Sequence, residues 1–324
     1  MSSNESVLRR AAALHRPLIG FATVMAVLSV VAAIGVIFDD RTLVNASIWL
    51  KPFKFTISMA LYAVTLAWMI SLLPKARRWG WWLGTVVAIG LAVDMVLIFW
   101  QPVFRVRQLH FNGADALDRL LAQDILPGAT YLAWTASLVL ALMLVFQKMA
   151  NKAQAAAVRI GLSVALLGLA LGMLMFMPTP GQQGLIDAGM KPTIVGAHSV
   201  GVPDGGPGLP ILGWSTVGGD LRIPHFVGMH ALQLLPLFAM LLAALSTRFP
   251  VLSDPLVRRR LIRVGGLGYL GLIAILTWQA LRGQSIVDPD VWTLLAVGAD
   301  AALVGFGVLA SVASVRQPTE TITR

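Results

Sequence analysis

Cysteine is absent from the 324 residues, and charge is scarce, with only 12% of the chain Asp, Glu, Lys or Arg. Without cysteine there are no disulfides, thiolate zinc sites, cysteine-ligated iron–sulfur clusters or cysteine nucleophiles. A soluble domain carries about 25% charged residues. Half that proportion leaves no room for a sizeable soluble domain, which excludes a hidden ATPase or dinucleotide-binding unit. What fills the chain instead is apolar sequence: 57% of the residues are hydrophobic and the mean hydropathy is +0.78. These residues fall into runs of about 20, the length a helix needs to cross a bilayer.

The runs lie near 17–38, 55–74, 79–101, 126–147, 158–177, 224–246, 264–283 and 291–315. They predict an all-α polytopic transmembrane helix bundle of about eight spans, forming one transmembrane domain in the lipid bilayer. The first run is too long for a signal-peptide core and lacks a clear cleavage site before Asp39, so it reads as a retained helix. The net charge of +10 does not point to nucleic acid. Sixteen of the 25 Lys and Arg residues fall on the side that holds the N-terminus, and basic residues gather in cytoplasmic loops. This predicts an N-in, C-in protein of the cell's inner membrane.

Two outer connections are long. Pro102 to Ile125 contains Asn112-Gly-Ala-Asp115, a helix start with Asn112 as cap, followed by Leu117, Leu120 and Leu121 on one face. That pattern predicts a short amphipathic helix on the membrane surface. Pro178 to Ile223 holds 11 Gly and 6 Pro in 46 residues, which argues against regular structure. Ile194, Val195, Leu209, Ile211, Leu212 and Trp214 make it too apolar for a free linker, so it is expected to fold back over the outer mouth as a lid.

Polar residues inside the spans are costly and mark function by default. Asp94, His230, Gln233, Gln279 and Asp300 all lie in the outer half. Asp94, His230 and Asp300 sit roughly 9–14 Å below the outer helix ends at 1.5 Å per residue. Three ionisable groups at one level on three helices predict a shared catalytic site, with Gln233 and Gln279 as ligand-binding partners. Lys54, with Lys51, stands at the outer boundary, where a site carboxylate or an anionic ligand would meet it. Asp220 suits the cap of the sixth span, and Arg222 follows in its dense polar entry.

Imidazole is the commonest metal ligand. His230, His225, His198 and His110 all fall in or beside the outer half, so a metal ion or haem is the cofactor they would hold. His225 and His230 are five apart, about 140° around a helix, and do not form a two-ligand face by themselves. Trp100-Gln101 with Arg105 is echoed by Trp278-Gln279 with Arg282, and Leu50-Lys51 by Leu221-Arg222. This fits two parallel four-helix halves.

Trp49-x-Lys51-Pro52-x-Lys54-Phe55, His110-Phe-Asn112, Pro203-Asp-Gly-Gly-Pro-Gly208 and Gly219-Asp-Leu-Arg222-x-x-His225-Phe-x-Gly228-x-His230-x-x-Gln233 resemble a family of uncharacterised bacterial polytopic integral membrane proteins. The resemblance implies a membrane protein and carries over no activity and no catalytic residue. Three functions stay open on the sequence. One is a metal- or haem-dependent membrane enzyme or redox protein with a site open to small ligands from the outer side. The others are a proton- or ion-coupled solute transporter and an assembly or sensor subunit. The first is preferred, because below Asp300 the spans offer no ionisable groups to line a transport path. The sequence leaves the oligomeric state open.

Overall fold

A computed structural model describes residues 14–73, 76–149 and 151–313. Of the residues counted above toward the inner charge excess, Arg9, Arg10, Lys75, Arg316 and Arg324 lie outside the described residues, as does the end of the last run.

The chain is an all-α polytopic bundle. Its long helices are α1 (Arg16–Phe38), α2 (Leu50–Ser71), α3 (Arg77–Phe99), α5 (Leu126–Val145), α6 (Lys152–Leu171), α8 (Arg222–Leu245), α9 (Pro255–Leu281) and α10 (Val291–Ala313). Among the described residues, eight helices, counted with their flanking turns, are long and apolar enough to cross a membrane. The short helices are α4 (Ala116–Arg119) and α7 (Pro180–Asp187). Two hairpins complete the fold, β1 (Thr42–Leu43) with β2 (Ala46–Ser47), and β3 (Ser199–Val200) with β4 (Gly219–Asp220).

Helix starts follow local chemistry. Asn151 caps α6 by accepting from the amides of Ala153 and Gln154, and Asp254 caps α9 by accepting from Leu256. Each satisfies amide donors that have no partner inside the helix. With Asp254 as cap, the Arg258–Arg260 run is helical, so the seventh span begins nine residues before its apolar run.

The packing repeats. In the first half α1 packs on α2, α3 on α5, α2 on α3 and α1 on α3. In the second half α6 packs on α8, α9 on α10, α8 on α9 and α6 on α9. The two halves therefore share one helix-packing pattern, and they meet where α5 touches α6 and where α2 touches α8. α6 and α8 cross most closely: a Cβ on Gly168 would lie 2.3 Å from the backbone of Gly228. Small residues permit such crossings in lipid, where dispersion between helices replaces the hydrophobic drive. The largest apolar core centres on the first half, around Leu66, Val87, Leu140 and Leu144, and reaches α6 and α8 through Val158, Leu162 and Leu232.

The connections at one end form a continuous cap. Arg41 donates to the carbonyl of Val103, Asn45 to that of Gly205, and Ser285 to that of Ser215. Asn112 and Ile194 form a β-bridge. All four connections, the Gly/Pro-rich segment among them, are thereby tied together.

Three local expectations change. The surface helix is not separate: α4 runs through a π-helical turn, Leu120–Ile125, directly into α5. Its cap is Asp115, which accepts from the Asp118 amide, while Asn112 serves the inter-loop bridge. The Gly/Pro-rich segment contains regular structure after all, because Thr179 and Gln182 form a reciprocal capping box that starts α7. The cap position of α8 is Leu221, although Asp220 still accepts from the Arg222 amide.

Candidate functional site

The polar chemistry concentrates at the capped end, where the first turns of α2 and α8 meet the two long loops. α2 starts at Leu50, five residues before its apolar run, and this puts Lys51 and Lys54 on its first turn. Lys51 Nζ lies 2.8 Å from His110 Nδ1. Lys54 Nζ donates to the carbonyl of Leu212 at 2.7 Å. Neither lysine has an ion pair with a carboxylate among the described residues.

Across from them, His198 Nδ1 lies 3.0 Å from Asp204 Oδ2. Asp204 also accepts from the backbone amides of His198 and Ser199. An ionised carboxylate only accepts, so the proton on this ring belongs on Nδ1 and the lone pair on Nε2. Lysine only donates, so His110 Nδ1 accepts and its Nε2 carries the hydrogen. The two imidazole centroids are 6.2 Å apart, and Phe111 packs edge-on against the His110 ring and tilted against the His198 ring. A base and a hydrogen-bond donor therefore stand side by side.

Electrostatics favours neutral rings. Burial holds His110 well below 6.5, with Lys51, His198 and His225 adding to the effect. Burial also lowers His198; the Asp204 hydrogen bond opposes this, while Lys51 and Arg222 reinforce it. Asp204 is pushed up by burial but held below the usual carboxylate range on balance, by the His198 ring and the two amides.

Arg222 completes the cluster. Its Nε lies 2.9 Å from Oδ1 of the buried Asp220, and its Nη2 donates to Asp220 Oδ2 and to the Gly213 carbonyl, both at 2.5 Å. Asp220 also accepts from the Ser215 amide, so one carboxylate ties the α8 entry to the loop tip.

The residues expected to share a site are each engaged by different neighbours. Asp94 is buried and accepts from Thr130 of α5, while its Oδ1 has no partner among the described residues. His230 Nδ1 lies 3.3 Å from Gln233 Oε1, its ring packs on Phe226 at 4.4 Å, and its buried Nε2 has no partner among the described residues. Asp300 lies against the glycine face of α9, where a Cβ on Gly271 would stand 2.2 Å from its Oδ1. No hydrogen bond or ion pair joins Asp94, His230 and Asp300 among the described residues. Buried Gln279 donates to the carbonyl of Ser285 and braces the last loop.

The four histidines are also divided. His225 Nδ1 meets the carbonyl of Gly168 at 2.8 Å, His198 is held by Asp204, His110 by Lys51, and His230 by Gln233. Among the described residues, no group of three or more His, Cys, Asp or Glu side chains is placed to hold a metal ion. Asp204 is the site residue that sequence reasoning did not single out. Its signal was the Pro203-Asp-Gly-Gly-Pro turn, where an acid follows a proline that fixes the backbone.

These features define a multi-pass helical membrane protein with a loop-covered polar cluster at one end. No family model, curated protein or solved structure matches the chain.

Proposed function

We propose that this is an enzyme of the cell's inner membrane that performs acid–base chemistry on a small solute at the capped, outer end. The observation that carries this reading is the Asp204–His198 pair beside the His110–Lys51 pair. The logic is that of an oriented general base. Asp204 fixes the His198 ring so that Nε2 accepts a proton from the solute or from water. The Nε2 hydrogen of His110 and the Lys51 ammonium then stabilise the negative charge that develops. The commitment of each imidazole to a different neighbour supports acid–base use over shared metal or haem ligation. The excess of Lys and Arg in the opposite connections supports the outward placement of the site.

The matched packing of the two halves favours one other reading, solute transport, with the cluster lying at the junction between repeats. The two separate in one experiment. Protein reconstituted in liposomes is incubated with a small-molecule cell extract, and the solutes are followed by mass spectrometry. A compound chemically converted by the wild type but not by His198→Ala supports the enzyme. A compound that accumulates unchanged inside the vesicles, with no conversion of any other, overturns it in favour of transport.

A further inference from the structure

The two cations at the loop tip are satisfied by carbonyl oxygens, the neutral counterparts of an anion's oxygens. Lys54 takes the carbonyl of Leu212 and Arg222 takes that of Gly213. Both are also close to the Gly213 backbone: a Cβ there would stand 3.8 Å from Lys54 Nζ and 4.0 Å from Arg222 Nη1. Lys51 stands three residues before Lys54 on α2, about one turn away on the same helix face. Against these three positive groups the cluster sets Asp204 and Asp220. Asp204 is taken up by His198 and two amides, and Asp220 by Arg222 and the Ser215 amide.

Donors also remain over. An ammonium has three hydrogens, and Lys51 and Lys54 each use one on a protein acceptor. Arg222 Nη1 makes no hydrogen bond among the described residues. The loop that covers these donors is held by a short ladder of its own. Gly208 and Ser215 pair as a β-bridge, and the Leu209 amide donates to the Trp214 carbonyl. At its tip Ile211 has φ 64°, a left-handed conformation that a β-branched residue adopts only under strain. Trp214 anchors the far side on Phe226 with ring centroids 5.7 Å apart.

We propose that Lys51, Lys54 and Arg222 form a binding site for an oxyanion, a phosphate or carboxylate group, which displaces the Leu212 and Gly213 carbonyls and frees the loop tip. This gives the ligand class of the acid–base site and shares its location, but anion binding itself does not depend on His198. An oxyanion offers several lone pairs to the spare donors, and charge-assisted hydrogen bonds are shorter and stronger than those to a neutral carbonyl. Release of the strained Ile211 backbone offsets part of the lost loop contacts.

The test is amide hydrogen exchange of the loop 207–216 in full-length protein held in phosphatidylcholine nanodiscs. Inorganic phosphate and acetate are titrated against chloride at matched ionic strength, and a second arm uses nanodiscs containing phosphatidylglycerol without added phosphate. Exchange at the Leu209, Gly213 and Thr216 amides is expected to rise about tenfold on saturation, as opening of the tip exposes them. A response to phosphate or acetate makes the ligand a soluble oxyanion, and a response to phosphatidylglycerol alone makes it a lipid headgroup. Lys51→Met leaves the loop anchors in place, so its resting exchange stays as in wild type. Its apparent affinity for the anion falls about tenfold, the loss of one charge-assisted contact. No response beyond chloride in any arm, or unchanged affinity in Lys51→Met, overturns the oxyanion site. His198→Ala separates the two proposals: an intact anion response together with intact turnover sinks the acid–base reading and leaves the oxyanion site standing.

Discussion

Lys51 holds its ammonium 2.8 Å from the Nδ1 of His110, and among the described residues no carboxylate pairs with that lysine. The contact fixes His110 as an acceptor on one nitrogen and penalises a second proton on the ring. His110 is kept well below 6.5 by burial first and by Lys51 next, and His198 is lowered in the same direction. The unfolded chain therefore binds protons below about pH 6.5 that the folded chain refuses. The stability from both rings is fully present above that value and is lost as pH falls toward the folded values. Melting followed from about pH 7.5 to about pH 5.5 is expected to lose roughly 3 °C or more. His110→Gln flattens the slope. A melting temperature that rises on acidification would contradict the neutral-ring assignment.

Asp118 is fully buried and accepts from Gln101 and Arg105 at 2.8 and 2.7 Å, and from Arg107 at 2.7 Å. Asp115, on the same turn, is exposed and pairs with the same two arginines. Removing the acid from a buried pair strands the other groups and costs about 3–5 kcal/mol, whereas an exposed pair is worth about 1 kcal/mol or less. Chemical denaturation in detergent is expected to show a large loss for Asp118→Ala. The loss for Asp115→Ala is small, and includes a helix cap worth about 1 kcal/mol. Equal losses would mean that burial does not decide the energetics of this network.

The eight long helices were legible because run length and charge rarity depend on composition alone. The helix starts were not. Lys51 and Lys54 ended the apparent second run early, yet their stems lie along the helix while their heads meet loop groups, which hydropathy does not register. Leu117, Leu120 and Leu121 gave the pattern of a surface helix, but a π-helical turn carries it straight into α5. Equal depth made Asp94, His230 and Asp300 look convergent. Depth fixes only one coordinate, and each residue is bonded to or packed against a different neighbour. The His198–Asp204 pair lies in a loop without periodicity, so no spacing rule points to it. The repeat was hinted at by the Trp-Gln and Leu-Lys/Leu-Arg echoes, and the packing of the two halves follows the same division.

Among the described residues, Asp94 keeps one hydrogen bond, from Thr130 at 3.1 Å, and its buried Oδ1 has no partner. A carboxylate so placed is costly in its charged form. Asparagine has nearly the same shape, retains an oxygen for Thr130 and carries no charge. Asp94→Asn is expected to leave stability unchanged or raise it by about 1 kcal/mol. Asp94→Leu removes the acceptor and strands Thr130, and is expected to fall below Asp94→Asn. A loss of several °C in Asp94→Asn would show instead that the second oxygen serves a group bound there in the working protein.

The α6–α8 crossing gives the sharpest packing test. A Cβ at Gly168 would stand 2.3–2.5 Å from backbone atoms of Gly228 and Met229, which cannot rotate away as a side chain can. His225 Nδ1 also meets the Gly168 carbonyl, so pushing these helices apart disturbs the first turn of α8 beside the polar cluster. Forcing a methyl into a packed contact costs about 1–3 kcal/mol. Gly298 on α10 has nothing within 4 Å of the same construction and serves as the control. Gly168→Ala is expected to lower the melting temperature by roughly 3 °C or more and to speed amide exchange at the start of α8. Gly298→Ala is expected to match wild type or exceed it slightly, because alanine favours the helix by about 1 kcal/mol over glycine. If both variants melt together, the close approach of α6 and α8 is not what holds the two helices in place.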